Sequence, residues 1–306
     1  MDKIGVSSTN HPIMRRSRKR GAAAAPAFVS VLIGDLGNVY FSEMAAGIMN
    51  VADGRRILVN ISANQNNPDF HADYCRWIVR SNCSGIIIAN PDAYSSGEIR
   101  RLIADLKLPV VAINPPSTDS GIPSIRICYD RAMEMVVQHA LKYGHTRIGM
   151  LNNSVHTYSA IEKKKGVEAA LKRASLTLLP ELYAEEPGTM EGGFQGMKRL
   201  LELKPEQRPS AVATANDMMA LGAMHAIRSR GLSIPGDMTV IGFDDIAMAA
   251  HANPPLTTIS PPKFEIGAWA MRKILDQIKN DARDGKDYSI MESPLVVRES
   301  SGPYGG

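Results

Sequence analysis

Short runs of apolar residues alternate along the chain with longer segments in which apolar residues recur every three or four positions. The short runs predict buried strands, and the longer segments predict amphipathic helices. Predicted strands lie at 28–33, 56–61, 85–89, 110–113, 124–127, 147–151, 211–214, 239–243, 257–259 and 294–297. Predicted helices lie near 41–53, 70–78, 95–106, 130–144, 160–174, 190–203, 217–229 and 264–279.

The predicted strands and helices follow one another in turn, and the alternation begins again after Gly144 and His145. Such alternation is typical of parallel α/β sheets with helices on both faces. The chain has 306 residues and is 44% apolar, which is enough for one or two substantial cores and favours two domains of roughly 130 residues each. The sequence therefore predicts an α/β protein of two doubly wound parallel sheets, with a ligand cleft between them.

Two adjacent carboxylates, Asp244 and Asp245, follow the predicted strand 239–243. Ligands of open α/β sheets bind outside the carboxyl ends of the strands, where a carboxylate can accept hydrogen bonds from a hydroxyl or an amine. The alternative is that one aspartate only caps the following turn. The same pair of interpretations applies to Asp130, which the pattern predicts as the N-cap of the helix at 130–144.

Six segments carry a resemblance to a known family. The segment Val240-Ile-Gly-Phe-Asp-Asp245, followed by Pro254-Pro-Leu-Thr-Thr-Ile259, resembles the effector-binding core of the LacI/GalR family of bacterial transcription repressors. The other similar segments, in the family's order, are Asp35-Leu-Gly-Asn-Val-Tyr-Phe41, Gly144-His-Thr-Arg-Ile148, Ala215-Asn-Asp-Met-Met-Ala-Leu-Gly222 and Leu295-Val-Val-Arg-Glu-Ser300. The resemblance covers the chain from about residue 27 to its end.

The resemblance implies a fold, partners and a site. The fold would be that of type I periplasmic binding proteins, with Rossmann-like subdomains at 27–144 plus 262–288 and at 145–261 plus 289–306. The chain would form a homodimer and bind a small effector, a sugar or related metabolite, between the subdomains. Amides, hydroxyls, charges and aromatic rings suit a polyol. The residues expected in the cleft are Asn38, Tyr40, Phe41, Asp130, Ser159, Lys163, Asn216 and Asp244.

Two positions depart from the family pattern. The family usually places an arginine three residues before a glycine, whereas here Lys163 precedes Gly166. Lysine is a flexible point charge without the planar fork of arginine, and the run 163–165 can equally be a solvated helix face. A position that is often aromatic in the family falls at Gly188, which predicts a roomier cleft.

The N-terminal segment, residues 1–26, is predicted to be a basic and disordered remnant of the family's hinge. Arg15, Arg16 and Arg18 would contact DNA there, with Arg18 in place of the usual hinge leucine. No complete helix-turn-helix fits before them, so operator DNA is expected as a partner only if one is present. The alternative is a solvated tail without a role in binding.

Two other classes of function stay open beside a ligand-responsive regulator. A stand-alone solute-binding protein shares the fold but expects an export signal. The basic run before 28–33 superficially resembles one, although the small residues precede the apolar run and the fold needs that run as a strand. The motifs GxGxxG after the first strand, GxxxxGK[ST] and GxSxG are missing from the sequence. We therefore expect no catalysis, no cofactor and no metal.

The cysteines and the hydropathy bear on the compartment. Cys75, Cys83 and Cys128 are odd in number and lack CxxC spacing, which favours reduced thiols and a cytoplasmic location. No run approaches the ~20 apolar residues of a membrane span, so no membrane partner is expected. The net charge of +4 is too small to indicate a nucleic-acid partner by itself.

Overall fold

The computed structural model describes residues 28–63, 69–89, 93, 96–106, 108–116, 121–153, 157–280 and 287–305. The first elements in chain order are β1 (Phe28–Ile33), α1 (Tyr40–Asp53), β2 (Leu58–Ala63), α2 (Phe70–Arg80), β3 (Cys83–Ala89), α3 (Gly97–Leu106), β4 (Val110–Ile113), β5 (Ser124–Ile127) and α4 (Tyr129–Lys142). The later ones are β6 (Ile148–Asn153), α5 (Tyr158–Arg173), β7 (Tyr183–Glu186), α6 (Met190–Leu201), β8 (Ala211–Thr214), α7 (Asp217–Ser229), β9 (Thr239–Phe243), α8 (Ala247–Ala250), β10 (Thr257–Ile259), α9 (Lys263–Asn280), β11 (Tyr288–Met291) and β12 (Leu295–Val296).

The strands form two six-stranded sheets. Their orders are β11-β5-β4-β3-β1-β2 and β12-β10-β9-β8-β6-β7. Within the described residues the paired strands are parallel except β10 and β12, which run antiparallel with Thr258 opposite Val296. The predicted class, two doubly wound parallel sheets, is confirmed. The chain changes sheet between β5 and β6, between β10 and β11, and between β11 and β12.

The central strands are buried on both faces, as their continuous apolar runs predict. One apolar cluster extends from β1, β4 and β5 of the first sheet through α4 and α5 to β6 and β9 of the second. The two helices pack closely where Gly166 of α5 faces α4, since a Cβ there would lie 2.9 Å from the Cβ of Met133. This shared core holds the two sheets beside each other and places their strand ends around one cleft.

The structure corrects several details of the predicted elements. The strand predicted from residue 56 begins at Leu58, because Arg56 turns the chain with a φ of 53°. Strands β7 and β11 were not predicted, since both are short edge strands with polar or half-exposed residues. The N-cap of α4 is Cys128, so the prediction of Asp130 as N-cap is wrong. Arg15, Arg16 and Arg18 lie outside the described residues.

Candidate ligand-binding cleft

A cleft of about 750 Å³, including the solvent at its mouth, lies between the two sheets. The first sheet contributes residues at or just after the ends of β1, β3, β4 and β5. The second contributes residues at or just after the ends of β6, β8 and β9, together with the first turns of α5. The cleft therefore lies at the carboxyl ends of parallel strands in both sheets, the usual place for a ligand in open α/β sheets.

Most residues that the sequence singled out lie together here. Seven of the eight line the cleft: Asn38, Tyr40, Phe41, Ser159, Lys163, Asn216 and Asp244. The structure does not bring Asp130 into it. That side chain is exposed in the first turn of α4 and its carboxylate lies 3.2 Å from the Cys128 Sγ. Its neighbour Tyr129 lines the cleft instead, because successive residues of a helix point in different directions.

Asp244 is a buried carboxylate on a strained turn. The residue is 7% exposed, and both it and Asp245 have positive φ, 117° and 48°. Each such non-glycine conformation costs about 1–3 kcal/mol, so surrounding contacts must hold the turn. The backbone N–H of Asp244 donates to the Ile259 carbonyl over 2.9 Å, and Arg298 binds the Asp245 carboxylate at 2.7 Å.

Burial raises the pKa of the Asp244 carboxyl to about 6, although the ammonium groups of Lys163 and Lys263 act in the opposite direction. The carboxyl is therefore mostly ionised at pH 7. An ionised carboxylate in a cleft is an acceptor with no hydrogen of its own, so it selects ligand groups that donate, such as hydroxyls and amines.

Lys163 lies inside the protein and lines the cleft, so the interpretation of residue 163 as part of a solvated helix face is wrong. Its Nζ donates to the Ala215 carbonyl over 2.6 Å and lies 3.6 Å from the centre of the Phe243 ring. Burial lowers its pKa to about 8, while Asp244 and Asp217 favour the charged form. The next two lysines lie outside the cleft: Lys164 is half-buried with its Nζ 4.2 Å from the centre of the Tyr183 ring, and the exposed Lys165 pairs with Glu162.

Asparagine side chains are fixed around the cleft by bonds to the backbone. Asn38 Oδ1 accepts the N–H of Tyr40 at 3.0 Å. Asn114 Oδ1 accepts the N–H of Ile127 at 2.9 Å. Asn216 caps α7 by accepting the N–H of Met219 at 2.8 Å, and it donates to the Gly188 carbonyl at 2.9 Å. Such anchoring sets each amide in one orientation, and for Asn216 it also supplies an entirely structural role.

Tyr40 brings a buried hydroxyl to the first wall of the cleft. The residue is 8% exposed, and its Oη makes no hydrogen bond of standard geometry within the described part of the chain. Burial first, and then the negative charge of Asp244, raise the pKa of this hydroxyl, whereas the nearby Asn114 side chain lowers it. A neutral hydroxyl in this position can both donate to and accept from a bound ligand.

Sequence reasoning missed other polar and aromatic groups of the cleft, among them Asn114, Tyr129, Asn153 and Phe243. Asn114 and Asn153 come directly after or at the end of predicted buried strands, which is the signal that could have found them. Gly188 lies against the amides, since a Cβ would be 3.0 Å from Nδ2 of both Asn153 and Asn216. A larger residue there would displace these amides.

The described residues contain neither a candidate metal site nor a membrane-spanning helix. No group of three or more histidine, cysteine, aspartate or glutamate side chains in that part of the chain could hold a metal ion. None of its helices is both long and apolar enough to cross a membrane.

Comparison with known proteins identifies the family. A model of the periplasmic binding protein-like domain matches residues 137–301. The HTH-type transcriptional repressor CytR of Escherichia coli (strain K12) is 30% identical over 293 residues, which cover 94% of this chain and 82% of that protein. The chain belongs to the LacI family of transcriptional regulators. A second LacI-family relative, the catabolite control protein A of Priestia megaterium, is 28% identical over 280 residues, 89% of this chain and 81% of the relative.

Solved LacI-family structures share the fold. A LacI family transcriptional regulator from Enterococcus faecium with bound ribose has a TM-score of 0.80 at 23% identity, covering 90% of this chain and 99% of that one. The lac repressor dimer bound to operator and the anti-inducer ONPF has a TM-score of 0.78 at 24% identity, covering 92% and 96%. Relatives such as CytR are transcriptional repressors, which favours a ligand-responsive regulator over a stand-alone solute-binding protein.

Proposed function

We propose that this LacI-family regulator binds a small uncharged molecule rich in hydroxyl groups, a sugar or sugar derivative, in the cleft, and that occupancy changes its affinity for DNA. The observation that carries the proposal is the convergence of a buried carboxylate, Asp244, a buried ammonium, Lys163, and fixed side-chain amides on one cleft. Donors and acceptors on opposite walls match the alternating hydroxyls of a sugar, and Phe41 and Phe243 offer apolar surface to its ring face.

The charge of the cleft supports an uncharged effector. Lys163 and Asp244 are the charged side chains among the described residues that line it. The pKa of about 6 for the carboxyl and about 8 for the ammonium make both groups mostly charged at pH 7. The two charges offset each other, so a phosphate or carboxylate on an effector would gain no net counter-charge.

The relatives support the same class of ligand. Ribose is bound in the regulator from Enterococcus faecium, and a further relative, 27% identical, is the ribose operon repressor of Haemophilus influenzae.

The subdomains are proposed at 27–144 plus 262–288 and 145–261 plus 289–306, closing on the ligand. A homodimer is proposed because the similar lac repressor structure is a dimer on its operator. Sedimentation velocity at micromolar concentration tests the dimer, and a monomer would contradict it.

The proposal is of a binding protein and not an enzyme, which the repressor relatives support. A thermal-shift screen of neutral sugars, with the phosphorylated form of each as its charged counterpart, tests the ligand class. Calorimetry then measures the affinity of the best ligand, and NMR of the recovered ligand checks that it is unchanged. Stabilisation by phosphorylated forms alone, or chemical conversion of the ligand, would contradict the proposal.

Asp244→Ala tests the site. Loss of a charge-assisted hydrogen bond should weaken binding by about 10- to 150-fold, equivalent to about 1.5–3 kcal/mol. Asp130→Asn is the matched control, because that carboxylate is exposed outside the cleft, and it should bind like the wild type. Unchanged affinity in Asp244→Ala would remove Asp244 from the site.

A further inference from the structure

Lys263, the first residue of α9, is a buried lysine whose ammonium has three partners. The residue is 3% exposed. Its Nζ donates to the carbonyl of Asp244 at 2.5 Å and to that of Asp245 at 3.2 Å, and it lies 3.1 Å from Glu43 Oε2. An ammonium group carries three N–H donors, so these three acceptors satisfy it completely. A buried charge is tolerated only when it is paired and hydrogen-bonded in this way.

The three acceptors belong to opposite walls of the cleft. Glu43 lies in the first turn of α1, the same turn that brings Tyr40 to the first wall. Asp244 and Asp245 follow β9 of the second sheet, and Asp244 lines the second wall. Lys263 itself is seated on the first side, since α9 packs on α1 so closely that a Cβ on Gly47 would lie 2.0 Å from the Phe264 carbonyl oxygen. The lysine therefore reaches from one wall to the backbone of the other.

The conformation of the Asp244–Asp245 turn depends on this contact with the Lys263 ammonium. Positive φ at both residues turns two successive carbonyls towards the same point, which the ammonium occupies. Without a cation there, the two carbonyl oxygens would point towards one place with no donor between them. Glu43 is 53% exposed, so it balances the charge of the lysine without being needed for the core.

We propose that Lys263 is a positioning residue that fixes the spacing between the Tyr40 wall and the Asp244 wall of the cleft, and that the Glu43 charge holds Lys263 in this position. The inference rests on the proposed function only in that this spacing matters for an effector. The competing explanation is a local brace, in which Lys263 stabilises the Asp244–Asp245 turn and leaves the first turn of α1 unaffected.

Hydrogen exchange on the intact, ligand-free protein distinguishes the positioning role of Lys263 from the local brace. The amides to follow are those of 41–44, where Phe41 donates to the Asn38 carbonyl, and of 246–249, where Ile246 donates to an Asp217 oxygen. Glu43→Gln should speed exchange in both segments by about two- to fivefold, the factor expected for a partly exposed ion pair. Lys263→Met should speed both by about tenfold or more. Lys273→Met is the matched control, because Lys273 lies on the same helix and pairs with Asp287 away from the cleft.

The salt dependence of the exchange rates tests the role of the Glu43 charge, because a purely structural role of Glu43 would not depend on ionic strength. Raising ionic strength from about 0.1 to 1 M shortens the screening length from ~10 to ~3 Å, so wild-type exchange in both segments should approach that of Glu43→Gln. The Glu43→Gln variant itself should not respond. Faster exchange in 246–249 alone, or no change in either segment with Glu43→Gln, would overturn the proposal even if Lys263→Met fails to fold. Because no ligand is used, failure here is distinct from failure of the sugar-binding proposal.

Discussion

The neighbouring residues Asn216 and Asp217 have different surroundings at the start of α7. Asn216 lines the cleft, whereas Asp217 is fully buried behind it. One Asp217 oxygen lies 2.5 Å from the Thr258 hydroxyl, and the other accepts the N–H of Ile246 at 2.9 Å. The carboxyl thus joins β10 to the loop after β9. Burial first, and then the charge of Asp244, raise its pKa to about 8.

This raised pKa predicts how stability depends on pH. The unfolded carboxyl ionises near pH 4, whereas the folded one keeps its proton to about pH 8, so between these values the native state binds the extra proton. The Asp217 contribution to the free energy of unfolding therefore falls as pH rises from about 4 to 8, by at most ~1.4 kcal/mol per unit. Asp217→Asn, which can still accept from Ile246 and donate to Thr258, should gain stability relative to wild type across pH 5–8.

Denaturant unfolding at pH 5, 6, 7 and 8 measures the difference. Asp237→Asn is a control of opposite sign, because hydrogen bonds from Ser233 lower the pKa of Asp237. That carboxyl adds stability above its unfolded pKa, which is lost only in more acidic solution, so its variant should show a constant difference from pH 5 to 8. A constant difference for Asp217→Asn as well would show that Asp217 is ionised in the folded protein.

The raised pKa of the Asp244 carboxyl predicts that effector binding depends on pH. The ionised carboxylate is the acceptor, and its pKa of about 6 means that a proton removes this acceptor as pH falls below 6. Affinity for the ligand found in the screen should be constant from pH 7 to 6.5 and should then decline by up to about tenfold per unit towards pH 5. Asp244→Asn should show weaker binding without this decline. Calorimetry in buffers of matched ionic strength tests it, and a parallel decline in Asp244→Asn would assign the titration to another group.

At the scale of elements, helices α1 and α9 pack through a pair of glycines. A Cβ on Gly47 would lie 2.0 Å from the Phe264 carbonyl oxygen, and one on Gly267 would lie 2.0 Å from the Met44 carbonyl oxygen. Both obstacles are backbone, which cannot move aside as a flexible side chain can. Gly47→Ala should therefore destabilise the protein by about 1–3 kcal/mol. Because α1 begins beside the cleft and α9 carries Lys263, it should also weaken effector binding.

Gly97→Ala is the matched control for this prediction. Gly97 begins α3, and nothing lies within 4 Å of a Cβ built on it. The substitution should be neutral or stabilise the protein by about 0.4–1 kcal/mol, since alanine has less freedom in the unfolded chain. Equal denaturation midpoints for Gly47→Ala and wild type would mean that the two helices can separate at no cost.

The sequence predicted the strands that bury a continuous apolar face and missed two short edge strands, β7 and β11. The strands at 28–33, 110–113, 124–127, 211–214, 239–243 and 257–259 have the predicted bounds. Strand β11 (Tyr288–Met291) was missed because an edge strand alternates between exposed and half-buried residues in a run too short to stand out. A pattern of apolar positions reports burial, and edge strands have little of it.

Only those residues of the cleft that belong to a motif or follow a predicted strand could be predicted from the sequence. Motif resemblance found Asn38, Asn216 and Asp244, but it also placed Asp130 in the cleft, which its neighbour Tyr129 lines instead. No local pattern predicts Lys263 as a partner of the Asp244 turn, because 19 residues separate them and only the change of sheet brings them together. The charge of a lysine normally indicates a solvated surface, and its burial here is a property of the assembled fold.

At the scale of the whole molecule, the sequence predicts that Arg15, Arg16 and Arg18, which lie outside the described residues, contact DNA. Each phosphate that a basic side chain neutralises contributes about −0.9 to the slope of log affinity against log salt. Replacing all three arginines with glutamine should make this slope shallower by about 2–3. Fluorescence anisotropy of these 306 residues on a random duplex, between roughly 50 and 200 mM salt, measures the slope.

The control is glutamine at the exposed Arg55, Arg101 and Arg230, which removes the same net charge elsewhere and should leave the slope close to wild type. An equal change in both triple variants would assign the effect to net charge, and an unchanged slope in the first would mean that the basic segment is a solvated tail without a role in DNA binding.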